Sequence, residues 1–152
     1  MPVQKVTKEE VVNQALILFK KRGYHRTSMA DLSAACGLLK GSFYHYFSGK
    51  EALMKEVLQA VHHYFKAKVF VIAYDDSLSP RERLEKMMAK QIRVASATEG
   101  GCLMGNMAIE TALVTDEFRP AMRAFFEEYL KALTHVYTYK YETQKACQMA
   151  EQ

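Results

Sequence analysis

The stretch Thr27–Lys50, TSMADLSAACGLLKGSFYHYFSGK, constrains this chain more than any other part of it. Ser28 is placed to cap a helix, Asp31 stands at the third helical position where a carboxylate suits the positive helix end, and Gly37 supplies a left-handed stop. That helix is about two turns long. After a tight turn comes Lys40–Phe47, dense in side chains that donate hydrogen bonds or stack, between apolar anchors at Leu38, Phe43 and Phe47. A short helix of that composition suits a DNA major groove. The spacing aims Phe43 and Phe47 toward Leu32 and Leu38 as core, and leaves Tyr46 open between packing and contact with a partner.

The flanks repeat the same grammar. Thr7-Lys8-Glu9-Glu10 is a capping box with Val6 and Val11 set for a hydrophobic staple, so a helix is expected from Lys8 to Arg22, ended by Gly23. Val11, Ala15, Leu18 and Phe19 form its inner face. Ser48-Gly49-Lys50-Glu51 is read as a second capping box, opening a long helix with Leu53, Val57, Val61, Tyr64 and Ile72 that persists to about Tyr74. Asp75–Ser79 is a polar linker, and Ser79-Pro80-Arg81-Glu82 starts another helix bearing Leu84, Met87, Met88, Gln91, Ile92 and Ala95. Thr98–Gly101 breaks the pattern. A shorter helix is expected from Cys102 to about Leu113, and Thr115-Asp116 is read as capping a last one with Phe118, Met122, Phe125, Tyr129, Leu133 and Val136 on one face. Tyr139–Gln152 is polar, with a weak pattern of Tyr141, Ala146 and Met149. No alternating strand segment, repeat or low-complexity tract occurs, so the fold class is all-α.

Charge is unevenly spread. Residues 1–50 hold eight Lys or Arg against three acids, and residues 51–152 hold thirteen against fourteen. A basic head on a near-neutral body is what phosphate binding requires. With 49% apolar residues the 152-residue chain can bury a core, no apolar run approaches a bilayer span, and MPVQKVTKEE carries no hydrophobic signal region, so a cytoplasmic protein without membrane association is expected. Three scattered cysteines, Cys36, Cys102 and Cys147, form neither a disulfide framework nor a metal pattern. His62 and His63, being adjacent, fall on different sides of a helix, and no partner completes a metal pair; no metal, cofactor or enzymatic activity is expected.

Lys40–Leu53, KGSFYHYFSGKEAL, resembles the run that closes the helix-turn-helix of the TetR family of bacterial transcriptional regulators, and the similarity extends from roughly Thr7 to Leu58. The resemblance implies a three-helix DNA-binding head (residues 1–50) joined by a long helix to a C-terminal helical bundle for ligand binding and dimerisation (51–152). It implies DNA contacts from Lys40, Gly41 and Ser42 at the start of the second motif helix, from Tyr44 and His45 one turn on, and from Thr27, Ser28 and Lys50 as phosphate clamps. Leu39 departs from the family pattern, standing where many members place a small polar residue that caps the helix or touches phosphate. The tail departs as well: two further amphipathic dimer helices are usual, and the chain is expected to be shortened at its C-terminus, to be a divergent member, or to continue beyond the sequence given.

Similar proteins hold a ligand in a pocket of the bundle. Tyr64, Met88, Ile92, Met107, Phe125 and Tyr129 are candidates for its lining, with simple core as the alternative. Asn106 and Glu110, four apart on a short apolar helix, are costly to bury unpaired and are candidates to orient a polar ligand. Cys102 follows Gly100-Gly101 in GGCLMGNMAIE, a run like one seen in a branch of the family; at a helix N-terminus its thiol is either a reactive sensor or a small packing residue. The function implied is a homodimeric repressor of double-stranded operator DNA, released by a small-molecule inducer or by thiol modification. The alternatives are an interaction protein whose DNA binding is impaired by the missing dimer helices, and a small helical enzyme.

Overall fold

The computed structural model describes residues 5–112 and 115–152, and every regular element among them is helical. Helix α1 spans Lys8–Arg22, with Thr7 and Glu10 exchanging capping bonds at 3.1 and 2.7 Å. Val6 packs on the same core as the fully buried Val11, as the staple requires. Helix α2 (Met29–Ala35) opens on the Ser28–Asp31 capping box and stops at Gly37, whose φ of +65° is left-handed. Helix α3 is the four residues Lys40–Phe43, started by Leu39 without any side-chain cap.

These three helices enclose Val11, Ala15, Phe19, Leu32, Phe43 and Phe47, all nearly or fully buried. Tyr46 belongs with them: its hydroxyl donates to the Val6 carbonyl at 2.6 Å, which makes it a packing residue.

Helix α4 (Lys50–Lys68) leads from head to body. Two expectations about it need correction. Its N-cap is Gly49, in fully extended backbone and with no side-chain cap bond, so Ser48 and Glu51 form no capping box. It also ends at Lys68, giving way to a 3₁₀ turn over Phe70–Tyr74. Val69, Val71 and Ile72 are β-branched, which weakens the α-helix. A repeat of three residues per turn places Phe70 and Ala73 one above the other, and both are buried.

Helix α5 (Pro80–Ser96) opens on the Ser79–Glu82 capping box. Its Arg83, 2% exposed, donates to the carbonyls of Leu78 and Ala73 at 3.0 and 3.1 Å and stacks on Tyr139, pinning the linker to the end of the bundle. Helix α6 spans Leu103–Thr111; Leu113, where its end was expected, lies outside the described residues. Helix α7 (Arg119–Tyr137) has Phe118 as N-cap, and the Thr115 hydroxyl instead accepts from the Glu117 amide at 3.2 Å, so Thr115-Asp116 shapes the preceding turn and not the helix start. The polar tail folds as a further short helix, α8 (Thr143–Glu151), packed along α7 through the buried Ala146.

The body core is aromatic. Phe125 sits 5.1 Å from Phe65 and 5.5 Å from Phe70, and Phe70 stacks on Tyr129 at 5.5 Å.

Candidate nucleic-acid interface and ligand cavity

The outer surface of the head is built by α3 and the turn after it. Burying Phe43 and Phe47 on the inner side leaves Lys40, Gly41, Ser42, Tyr44 and His45 exposed together on the other. Among the described residues no atom lies within 4 Å of where a Cβ would stand on Gly41, which leaves its backbone open to close approach. Leu39 is 81% exposed.

Three candidate phosphate clamps behave differently from one another. Thr27 is 1% exposed and its hydroxyl donates to the Gly23 carbonyl at 2.7 Å, which removes it from the surface. Lys50 turns inward, donating to the Tyr24 carbonyl at 2.8 Å with its ammonium 4.3 Å from that ring's centre. Burial lowers its pKa, an effect partly offset by Glu110. Both are structural locks of the α1–α2 turn. Ser28 stays exposed, but its hydroxyl is engaged with Asp31 at 2.6 Å, and those bonds hold the Asp31 carboxyl below its ordinary pKa.

The head's basicity is also redistributed. Lys8, Lys21 and Arg22 pair with Glu56, Glu99 and Asp31, while Lys20 is buried. Lys40 and Arg26 stay exposed without an ion pair among the described residues. Exposed pairs remain weak enough for phosphate to compete.

Glu110 was a candidate ligand contact; the fold gives it another task. From the last turn of α6 its carboxylate accepts the backbone N–H of Tyr24 at 2.9 Å and of His25 at 2.7 Å. A body helix thereby grips the α1–α2 turn of the head, with the ammonium of Lys50 on the same turn. Gly23, φ +82°, lies under this grip: a Cβ there would stand 3.0 Å from the Glu110 carboxylate.

A cavity of about 740 Å³ lies between α1, α4, α5 and the start of α6, with Tyr129 of α7 at its wall. Of the residues expected to line it, Tyr64, Met88, Ile92, Cys102 and Tyr129 do so, and the Tyr129 hydroxyl donates to Gln91 at 2.8 Å. Asn106, Met107, Glu110 and Phe125 do not. The Asn106 amide donates to the Gly100 carbonyl at 2.6 Å, Met107 and Phe125 are buried core, and Glu110 holds the head.

What the sequence reading missed is the contribution of α1, which presents Val12, Asn13, Leu16, Ile17 and Lys20 to the cavity. Ile17 was the available signal, an apolar residue off the helix's inner stripe. No group of three or more metal-binding side chains converges among the described residues. His62 meets Glu128 across α4 and α7, while His63 is exposed.

A short two-helix motif with an exposed outer face, its inner face fused to a helical body with a cavity at the junction, has the architecture of helix-turn-helix proteins that carry a helical body. Residues 11–57 match the model of bacterial regulatory proteins, tetR family. The HTH-type transcriptional repressor DhaR of Mycobacterium sp. (strain GP1) is 31% identical over 124 residues, covering 82% of this chain and 62% of its own length. The head of the chain, residues 11–57, is that of the TetR family.

Solved structures share the fold. A TetR transcriptional regulator from Legionella pneumophila superposes with a TM-score of 0.87 at 24% identity, over 99% of this chain and 82% of that one. AibR in complex with isovaleryl coenzyme A and operator DNA superposes at 0.75, also at 24% identity, over 95% and 80%. No helix among the described residues is long and apolar enough to cross a membrane.

Proposed function

We propose that this protein is an operator-binding transcription repressor, that it acts as a homodimer, and that a small molecule in the junction cavity weakens its hold on DNA. The observation that carries this reading is the shared wall. One helix, α6, contributes Cys102, Leu103 and Met104 to the cavity at one end and Glu110 to the head at the other. Anything that shifts α6 on filling the cavity also displaces the grip on Tyr24 and His25. A coupling of about 1–3 kcal/mol, roughly 5- to 150-fold in affinity, is the usual range for such a link.

Dimerisation follows from the size of the reading element: four residues of α3 reach only a few base pairs, and two heads are needed to select a site. No enzymatic step is part of the reading. Modification of Cys102 is a second route to the same end, because its thiol is exposed on the cavity wall at the α6 N-cap, whereas burial raises the Cys36 thiol's pKa.

The test is selection from a library of genomic fragments, followed by anisotropy titration of the best duplex at several salt concentrations. Selection of a near-palindromic site, weakened by Lys40→Ala and His45→Ala, is expected. Weak binding indifferent to sequence and to both substitutions would contradict the proposal. Thiol labelling with no preference for Cys102 over Cys36 and Cys147 would remove the second route.

A further inference from the structure

Lys20 is the only charged residue on the wall of the junction cavity among the described residues, and it comes from the head, not the body. It is 8% exposed, and burial lowers its pKa. Its ammonium makes one long hydrogen bond, 3.3 Å to the Ala95 carbonyl at the end of α5, and no carboxylate lies within ion-pairing distance among the described residues. An ammonium carries three donors, so an anion in the cavity would add charge-assisted bonds to the one this cation makes within the protein.

A second donor set converges on the same place. Helix α6 begins at the cavity wall with Cys102 as N-cap and no side-chain cap. Its first backbone bond runs from the Asn106 amide to the Cys102 carbonyl at 3.0 Å, so the amides of Leu103, Met104 and Gly105 have no partner within the helix. Gly100, two residues before that N-cap, packs directly on Lys20: a Cβ there would stand 3.0 Å from the Lys20 Cβ. The positive end of a nine-residue helix and a buried ammonium thus share one corner of the cavity. The remaining lining is mostly apolar, with Leu16, Val61 and Ile92 in it, and its other polar groups, such as Gln91 and the Tyr129 hydroxyl bonded to it, are uncharged.

We propose that this corner is an anion site and that the cavity takes a monoanionic ligand with an apolar body, such as an aliphatic carboxylic acid, its carboxylate held by Lys20 and the first amides of α6 and its chain laid along the apolar walls. The proposal rests on the junction cavity being the ligand site of the regulator reading and adds to it the ligand's charge and its anchor. It also has the ligand touch the head directly. By drawing the Lys20 ammonium off the Ala95 carbonyl, the carboxylate exchanges a head-to-α5 bond for a head-to-α6 one.

The experiment is isothermal titration of the full chain with the straight-chain acids hexanoate to decanoate, each against the alcohol of equal length, for wild type, Lys20→Met and Lys20→Arg. The acids are expected to bind at least tenfold more tightly than their alcohols. Lys20→Met is expected to abolish that preference without weakening alcohol binding, and Lys20→Arg to retain it within about threefold, which separates loss of charge from loss of fold. Equal affinity for acids and alcohols, no binding of any acid, or an acid preference that survives Lys20→Met would each overturn the proposal. Operator affinity is read separately. Acid binding through Lys20 that leaves DNA binding unchanged would sink ligand control of the operator while the anion site stands, and the converse result would sink the anion site alone.

Discussion

Replacing Glu110 with alanine should loosen the joint between head and body by an amount that can be worked from the structure. Two backbone N–H groups, of Tyr24 and His25, lose an ionised acceptor at 2.9 and 2.7 Å. A hydrogen bond to a charged group contributes roughly 1.5–3 kcal/mol when sheltered. Here the Tyr24 amide is part-buried and the His25 amide exposed, so water replaces much of the second bond. A local loss of about 2–3 kcal/mol follows. Lys50 adds to the effect, because its lowered pKa is partly offset by the carboxylate that the substitution removes.

At about 1.4 kcal/mol per decade, amide hydrogen exchange at Tyr24 and His25 should accelerate roughly 30- to 140-fold. Glu110→Gln, which retains one carbonyl acceptor, should give about half that free-energy change. Glu127→Ala, which breaks only an exposed pair with Arg123 on α7, serves as the control and should alter stability by less than about 0.5 kcal/mol. Unchanged exchange at both amides in Glu110→Ala would refute the reasoning, since the α1–α2 turn would then be held by something other than this carboxylate.

Three further outcomes are expected. A Cβ at Gly100 (φ +101°) would lie 1.9 Å from the Lys20 carbonyl oxygen, a backbone atom that cannot swing aside, so Gly100→Ala should cost roughly 2 kcal/mol or more in urea unfolding; a cost below about 0.5 kcal/mol would show that loop and α1 separate freely. Leu39 occupies an N-cap position in extended backbone without offering an acceptor, so Leu39→Ser should stabilise the head by about 1 kcal/mol, with a raised urea midpoint as the readout. Hydrogen bonds from Ser28 and Ser79 hold the Asp31 and Glu82 carboxyls below their ordinary pKa, so both stay ionised in the folded protein at a pH where the unfolded chain binds protons. Their contribution is complete above the ordinary carboxylate range of about 4 and is lost as pH falls from there through the lowered pKa values of the folded protein, and the double substitution Ser28→Ala, Ser79→Ala should flatten that acid limb of a pH–stability curve.

How much of this was legible in the sequence depends on how local each signal is. The starts of α1, α2 and α5 are written in four residues apiece, a hydroxyl followed three positions later by a carboxylate, and each forms the box it encodes. Ser48 and Glu51 carry the same spacing and fail, because Gly49 accepts extended backbone and takes the cap one residue later. The continuation of α4 to Tyr74 was misread because a short apolar run does not distinguish a repeat of 3.6 from one of 3.0. In the site, the exposed face of α3 follows directly from which of its residues must be buried.

The joint does not follow in that way. Asn106 and Glu110 announced themselves as polar groups on an apolar helix, but the partner of Glu110 lies 86 residues away in sequence and is a backbone amide, which no side-chain pattern encodes. Lys20 sits within Lys20-Lys21-Arg22, where charge alone does not tell the buried cation from its exposed neighbours. Thr27 and Lys50 turn inward for the related reason that a group able to bind phosphate is equally able to bind a nearby carbonyl.

The central claim is that the surface around α3 reads duplex DNA. Hydrogen exchange of the full chain, with and without a duplex selected from genomic fragments, tests it most directly. The expected result is slowed exchange concentrated between Ser28 and Phe47, strongest around Lys40–His45, with α7 and α8 unaffected. Protection confined to the body helices, or none anywhere at saturating duplex, would contradict it.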